Sequence, residues 1–194
     1  MKPIGILALQ GDVEKHYKMI EKLGVRAIKA RTPEDISSIS ALVIPGGEST
    51  TMGKLLDRFG ILAPLREKIQ QGFPVYGTCA GAILLAKNIE NSEQLRIGTM
   101  DITVSRNAYG RQIESFETEI TSPFFGDEAM TAVFIRAPII TAVKSHVEVL
   151  LSYENKAILV RQNNMLAGTF HPELTSDNRI HKYFVEHVVL KVKA

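Results

Sequence analysis

Short apolar runs alternate, in the first half of the chain, with segments whose apolar residues recur every three or four positions. The apolar runs lie at residues 4–9, 25–30, 41–45 and 74–78, and the helical patterns lie at 12–23, 49–58, 62–71 and 80–87. Apolar runs of this length between helices are typical of buried parallel strands. The alternation therefore predicts an α/β fold that is doubly wound, with a mostly parallel central sheet and helices on both faces.

The second half of the chain is richer in strand patterns, which lie at residues 101–106, 112–120, 131–137 and 147–154. We expect these strands to form an antiparallel extension or a mixed edge of the sheet. Residues 156–173 are typical of a hairpin that turns at Asn163–Asn164. A last helix is predicted over residues 177–192, with Ile180, Phe184 and Val188 buried at steps of four.

Composition and charge narrow the range of protein classes to which this chain could belong. Hydrophobic residues make up 45% of the 194 residues and charged residues 23%, as in an ordinary globular protein. The formal net charge is +2 and the basic residues are scattered, so no nucleic-acid partner is expected. One cysteine excludes an intramolecular disulfide and fits a reducing compartment. With no signal-peptide pattern, apolar span or linker, we expect one cytoplasmic domain over residues 1–194 that does not contact a membrane.

The single cysteine, Cys79, lies between a predicted strand and a predicted helix in the stretch VYGTCAGAILLA. The pattern Gly77-Thr78-Cys79-Ala80-Gly81 is G-x-C-x-G, a nucleophile elbow with sulfur in place of oxygen. The amino terminus of the following helix favours the thiolate, and the amide of Ala80 would point towards a forming oxyanion. A small buried core residue is the alternative interpretation, and this pattern alone leaves the two about equal.

The histidines supply a candidate base. Three of them, His16, His181 and His187, lie on predicted helices among charged residues and are predicted to be solvated, and His146 receives no role. His171 instead follows an apolar strand, and Glu173 comes two residues later, across a stiffening proline. Glu173 could orient the imidazole of His171. A proline turn capped by a glutamate is the alternative, which the cysteine elbow makes less favoured.

The third strand runs into the stretch PGGEST, residues 45–50. Adjacent glycines let the backbone approach a ligand closely and present amides to an oxyanion. A phosphate-binding P-loop is excluded by spacing, because five residues separate Gly47 from Gly53 and Leu55 stands where serine or threonine would hold magnesium. No cluster of residues has the spacing of a metal site, so we expect neither a metal nor a cofactor.

The motifs PGGES, GTCAG and HPE, in this order along an α/β chain, resemble those of the triad (class I) glutamine amidotransferases. Within that class, LALQGD, PGGESTTMGKLL, PVYGTCAGAILLAK, SRNAYGRQIESFE, VFIRAP and TFHPELT are similar to the glutaminase subunits of two-component pyridoxal 5′-phosphate synthases. The resemblance extends from Lys2 to the last helix. It implies a flavodoxin-like fold of the class I amidotransferase type.

The resemblance also implies roles for particular residues. Cys79 would attack the side-chain amide of L-glutamine, His171 would move protons, and Glu173 would orient His171. Glutamine would be bound by Gly46, Gly47, Glu48, Arg106, Ile135 and Arg136. The oxyanion would be bound by the amides of Ala80 and of Gly47 in the glycine loop.

The resemblance finally implies a partner. The glutamyl thioester would be hydrolysed, and the ammonia would pass to a (β/α)₈-barrel synthase subunit within a large hetero-oligomer that makes pyridoxal 5′-phosphate. Docking would complete the oxyanion hole, and LALQGD with the first helix would belong to the docking surface. Three alternatives remain: a glutaminase serving another synthase, a non-catalytic regulatory subunit, and a thiol hydrolase acting on some other amide or ester.

Overall fold

A seven-stranded sheet forms the centre of the structure, a computed structural model that describes residues 2–106 and 115–191. In spatial order its strands are β10 (Glu148–Tyr153), β11 (Lys156–Gln162), β12 (Met165–Gly168), β4 (Val75–Thr78), β3 (Ala41–Ile44), β1 (Ile4–Leu7) and β2 (Ala27–Ala30). The five strands from β12 to β2 pair in parallel, whereas β11 pairs antiparallel with both neighbours. The predicted mostly parallel central sheet is confirmed.

Helices cover both faces of this sheet. They are α1 (Val13–Lys22), α2 (Pro33–Ser38), α3 (Ser49–Arg58), α4 (Leu62–Gln70), α5 (Ala80–Leu85) and α6 (Arg179–Tyr183). Strand β3 shows the division, because Leu42 and Ile44 join a core with α2 to α5, whereas Ala41 and Val43 join a core with α1 and α6. Successive side chains of a strand point to opposite faces, so the predicted doubly wound arrangement is confirmed. None of the described helices is long and apolar enough to cross a membrane.

The predicted antiparallel extension of the central sheet is formed by β10 and β11, and the strand predicted over residues 147–154 is β10. The strands predicted over 101–106, 112–120 and 131–137 instead lie in two further sheets. Strands β5 (Ala86–Ile89), β6 (Met100–Ser105) and β9 (Ile139–Val143) form a second sheet, in which β6 and β9 are antiparallel. Strands β7 (Ser115–Ile120) and β8 (Met130–Ile135) form an antiparallel pair. The predicted hairpin is β11 and β12, turning at Asn163–Asn164 with Asn163 at a φ of 52°. Residues 112–114 of the predicted strand over 112–120 lie outside the described residues.

Two helices differ from their predicted extent. Helix α5 ends at Leu85 instead of continuing to residue 87, because residues 86–89 pair with β6 as strand β5. The last helix begins at Arg179 instead of residue 177 and changes to π-helix over Phe184–Val189. Apolar residues at steps of four are compatible with both helix types, and the three residues predicted to be buried are buried. Residue 192, the predicted end, lies outside the described residues.

Candidate active site

Cys79 lies at a sharp turn between β4 and α5, at the carboxyl edge of the central sheet. Its φ of 48° and ψ of −103° are strained for a residue with a side chain. The flanking glycines make this turn possible. A Cβ at Gly77 would lie 2.5 Å from the carbonyl carbon of Gly81, and a Cβ at Gly81 would overlap the carbonyl oxygen of Ile44. The sulfur is therefore held at the start of α5 by a backbone that leaves no room for larger neighbours.

His171 and Glu173 lie at the same edge, just beyond β12. Glu173 belongs to a single 3₁₀ turn over Pro172–Leu174. The amide of His171 donates to the carbonyl of Val133 on β8 at 2.8 Å, which ties this segment to the neighbouring hairpin. The Nδ1 atom of His171 lies 2.8 Å from Oε1 of Glu173. A carboxylate only accepts hydrogen bonds, so Nδ1 is the donor and the other ring nitrogen is free to exchange protons with Cys79.

The charged forms of His171 and Glu173 stabilise each other. Burial lowers the pKa of His171, but its hydrogen bonds with Cys79 and Glu173 and the negative charge of both groups outweigh burial and raise that pKa to about 10. Burial raises the pKa of Glu173, but the imidazoles of His16 and His171 outweigh it and hold that pKa well below its ordinary value. At neutral pH the pair is therefore an imidazolium bound to a carboxylate.

A cavity of about 460 Å³ opens beside these groups. Its lining contains His171 and all the predicted substrate-binding residues: Gly46, Gly47, Glu48, Arg106, Ile135 and Arg136. Cys79 contacts one of the lining residues, with its Sγ 4.0 Å from the carbonyl oxygen of Ile135. Arg136 follows at a φ of 42°, a second strained residue in the wall. The structure thus brings together at one cavity residues that are far apart in the sequence.

The glycine loop packs directly against the histidine. A Cβ at Gly46 would lie 2.5 Å from Cε1 of His171 and 3.4 Å from Cβ of Cys79, so only glycine fits. Glu48 then caps helix α3, where its carboxylate accepts from the amides of Thr50 and Thr51. These amides lack partners within the helix, which is why an acidic residue is stabilising at this position. The loop is fixed against the site at both of its ends.

Arg106 is anchored at the edge of the cavity. Its Nη2 atom lies 3.2 Å from Oε1 of Glu48, and its Nη1 atom donates to Thr50 at 3.0 Å and to Gln94 at 2.5 Å. The guanidinium is thereby held beside the PGGES loop. The following residues 107–114, which include most of the SRNAYG motif, lie outside the described residues.

Gln10 is a cavity residue that the sequence analysis assigned only to a docking surface. Its Oε1 atom accepts from the amide of Glu48 at 2.7 Å, and a Cβ at Gly47 would overlap that oxygen. Gly11 and Asp12 also line the cavity. The position of Gln10 at the carboxyl end of the first strand, where sites of open α/β sheets form, is the signal that could have identified it.

The prediction that His16 and His181 are solvated is wrong. Both side chains are fully buried, and Nδ1 of His16 lies 2.9 Å from Nε2 of His181. The signal was present in the helical spacing: His16 lies four residues before the buried Ile20, and His181 lies three before the buried Phe184. The charged neighbours occupy the opposite, solvent-facing sides. The prediction for His187 is confirmed, because it is exposed.

Across residues 2–106 and 115–191, no group of three or more His, Cys, Asp and Glu side chains is arranged to hold a metal ion. The fold and the arrangement around the cavity place the chain among the triad glutamine amidotransferases, the class that its motifs resemble.

Comparison with known proteins specifies the family. The model of the SNO glutamine amidotransferase family matches residues 6–190, and the chain belongs to that family. It is therefore a glutamine amidotransferase, an enzyme that takes ammonia from the side-chain amide of glutamine.

Similar proteins that carry names support the same family assignment. The pyridoxal 5′-phosphate synthase subunit PdxT of Carboxydothermus hydrogenoformans is 56% identical over 185 residues, covering 95% of this chain and 97% of that protein. The subunit of the same name from Desulforudis audaxviator is 54% identical over 188 residues, covering 97% and 100%. A crystal structure of a glutamine amidotransferase superposes with a TM-score of 0.90 at 45% identity, covering 94% of this chain and 97% of the other. PurLQS of Thermotoga maritima, at a TM-score of 0.72 and 13% identity, shares the fold alone.

Proposed function

We propose that Cys79 is the nucleophile of a glutaminase, with His171 as the group that moves protons and Glu173 as the residue that orients it. The observation that carries this proposal is the position of Cys79. It lies on a strained turn at a helix amino terminus, beside a histidine whose other ring nitrogen is bound to a buried carboxylate. A packed core cysteine would require neither the strain nor the charged pair.

Glutamine would lie in the cavity with its side-chain amide towards Cys79. The fork of Arg106, held by Glu48, suits a carboxylate of the substrate, and the backbone at Gly46, Gly47 and Ile135 and the Arg136 segment would shape the remaining wall. Arg106 now shares its hydrogen bonds with neutral oxygens of Thr50 and Gln94, which a substrate carboxylate could replace. In this orientation the reacting carbon would lie next to the sulfur.

The reaction proceeds in two halves. The thiolate of Cys79 attacks the amide carbon, and the oxyanion that forms is stabilised by the amides of Ala80 and Gly47. Ala80 is the first residue of α5, where amides lack partners within the helix. The imidazolium of His171 gives its proton to the departing ammonia, and the resulting imidazole then takes a proton from the water that hydrolyses the thioester to glutamate.

The ammonia serves the synthesis of pyridoxal 5′-phosphate. This part of the proposal is supported by the two named relatives, each a pyridoxal 5′-phosphate synthase subunit over nearly its whole length. The chain would act as a single domain over residues 1–194 in the cytoplasm, docked on a (β/α)₈-barrel subunit in a large hetero-oligomer. Leu7–Asp12 and helix α1 would form part of the docking surface. Gln10 lies within that surface and also contacts the glycine loop, so docking there could reach the oxyanion hole.

The test is glutamate release from glutamine by the whole chain, with and without the barrel subunit, for the native chain and Cys79→Ala. We expect strong stimulation by the barrel subunit and a loss of about 10⁴-fold or more in the variant, because a triad without its nucleophile retains only binding and oxyanion effects. Glutamate release that survives Cys79→Ala would overturn the assignment of the nucleophile.

The same assay separates the proposed function from each of the rival functions. A glutaminase that serves another synthase would not respond to this barrel subunit, and a thiol hydrolase with another substrate would need no partner. A regulatory subunit would release no glutamate under either condition. The high identity with the two pyridoxal 5′-phosphate synthase subunits favours the proposed function over all three.

A further inference from the structure

A buried polar cluster lies behind Glu173, on the side away from the cavity. His16 on α1 is its centre: Nε2 lies 3.1 Å from Oγ1 of Thr78 and 3.4 Å from Oε1 of Glu173, and Nδ1 lies 2.9 Å from Nε2 of His181. Tyr76 packs edge-on against both imidazoles. His16 thus joins the residue next to the nucleophile, the orienting carboxylate and the last helix.

The partners of His16 determine which of its nitrogens carries a hydrogen. Nε2 of His16 faces both the hydroxyl of Thr78 and the ionised carboxylate of Glu173, which only accepts, so a hydrogen on Nε2 is stabilised by Glu173. His181 remains neutral, since burial and the neighbouring imidazole of His16 lower its pKa to about 3 against a smaller opposing effect of Glu173. If Nδ1 of His181 carried its hydrogen, that buried N–H would have no partner among the described residues. The hydrogen of His181 therefore lies on Nε2 and is donated to Nδ1 of His16, which leaves the N–H of His16 on Nε2, beside Oε1 of Glu173.

The position of that N–H gives it a role in the reaction. Oε1 of Glu173 is the same atom that binds Nδ1 of His171, so one oxygen lies between two imidazoles. Among the described residues, Oε2 of Glu173 has no hydrogen-bond partner. The buried carboxylate is therefore held on this side by His16, and its orientation sets the tautomer and direction of His171.

We propose that His16 is a positioning residue of the triad, which acts through Glu173 by donating from Nε2 and so keeps His171 oriented towards Cys79. The proposal rests on the proposed roles of Cys79, His171 and Glu173. The groups that face Glu173 and His16 are His171 beyond β12, Tyr76 and Thr78 on β4, and His181 on α6. Of these, His16 and His171 are the imidazoles within reach of Oε1.

Two variants of His16 separate positioning from packing. In His16→Gln the amide nitrogen reaches the place of Nε2 and keeps the donor to Glu173. In His16→Asn the shorter amide reaches only the place of Nδ1, which keeps a partner for His181 and loses the donor. The exposed His146, paired with Asp101 at 3.0 Å, provides the control variant His146→Gln.

The first readout is the pKa of His171, measured by NMR titration of histidine-labelled whole chain, with thermal unfolding to confirm folding. We expect a value near 10 in the native chain, a decrease of about one unit or more in His16→Asn, and a much smaller decrease in His16→Gln. The second readout is glutamate release with the barrel subunit present. There we expect kcat to fall on the order of tenfold in His16→Asn with KM unchanged, as for loss of a supporting hydrogen bond behind a reacting group.

The outcomes are distinguishable. Equal effects of the two variants on His171 and on kcat, or loss of stability alone, would overturn the positioning role. The ¹⁵N shift of His16 in the native chain is an independent check that requires no variant, because an unprotonated Nε2 would overturn the proposal even if His16→Asn failed to fold. Full glutamate release by Cys79→Ala would instead overturn the proposed nucleophile.

Discussion

The two sides of Glu173 hold buried imidazoles whose properties are opposite. On the cavity side, His171 lies between a thiol and a carboxylate, and its pKa is raised to about 10. On the rear side, His181 contacts another imidazole and an aromatic ring, and its pKa is lowered to about 3. Burial opposes the charged form at both places. The negative partners around His171 outweigh burial, whereas none lies within hydrogen-bond distance of His181 among the described residues.

This difference shows how one carboxylate can serve two purposes. Towards the cavity it stabilises the imidazolium that the proposed reaction uses, and towards the rear it is itself stabilised by the donor proposed at His16. A buried carboxylate with only one partner would be far more costly to keep ionised. The rear cluster is therefore part of the site although no substrate reaches it.

The largest effect is expected from removal of the negative charge of Glu173, which lies between the cavity side and the rear side. In Glu173→Gln the amide oxygen can still accept from His171, but the negative charge is lost, so the imidazolium is less stable. We expect kcat for glutamine hydrolysis to fall about 10²- to 10⁴-fold, measured with the barrel subunit present. Glu119→Gln is the control, because Glu119 is an exposed carboxylate that accepts from Thr131 at 2.7 Å. Equal activity of the two variants would contradict the orienting role.

A smaller effect is expected from crowding only the cavity side. Gly46→Ala places a Cβ 2.5 Å from Cε1 of His171, which displaces the ring without touching the rear cluster. We expect kcat to fall about 10²-fold while the chain stays folded, since a displacement near 1 Å has that effect on a reacting group.

Gly126→Ala is the matched control for Gly46→Ala. Its φ is 90° and the space around it is open, so it adds backbone strain far from the site. It should lower the free energy of unfolding by about 1–2 kcal/mol and leave kcat unchanged. A Gly46→Ala chain with native kcat would show that the loop yields more readily than its contacts indicate.

The smallest effects separate the two imidazoles by pH. A raised pKa in the folded state gives stability that is full below about pH 6.5 and is lost as pH rises towards 10, so His171 contributes to the alkaline limb. A lowered pKa does the reverse for a neutral base, so His181 contributes a loss of stability as pH falls below about 6.5. Urea unfolding across pH should therefore show a flatter alkaline limb in His171→Asn and a flatter acid limb in His181→Asn.

Between pH 6.5 and 4.5 we expect the change in folding stability to come from His181 and not from Glu173. The carboxyl, whose pKa is depressed, contributes stability that is full above about pH 4.5 and is lost below it. If His181→Asn leaves the slope of the unfolding free energy against pH unchanged between pH 6.5 and 4.5, burial does not keep the imidazole of His181 neutral.

Much of the fold was predictable because it depends on local pattern. The four parallel strands of the first half and the hairpin of β11 and β12 were all predicted from apolar runs and turn residues. The end of α5 was not, because pairing of Ala86–Ile89 with β6 depends on a strand that begins eleven residues later. The change to π-helix after Tyr183 was not predictable either, because apolar residues at steps of four are compatible with both helix types.

The candidate site divides in the same way. The motifs around Cys79, Gly46–Gly47 and His171 could be found from the sequence because the chemistry needs particular residue types at short spacing. Strand-end position and helical spacing could have indicated that Gln10 lies at the site and that His16 and His181 are buried, but not what these residues contact. Their roles depend on contacts with residues 38 to 165 positions away, which no local window contains.

By itself, the sequence determined the doubly wound fold, the glutamine amidotransferase class and the residues at the carboxyl ends of the strands. The spacing of buried apolar residues and the residue types at turns are local properties, so they can be predicted from the sequence. Only the tertiary structure decided which imidazole is charged and which is neutral. That outcome depends on burial and on partners from α1, β4, α6 and the turn after β12, which meet only in the folded chain.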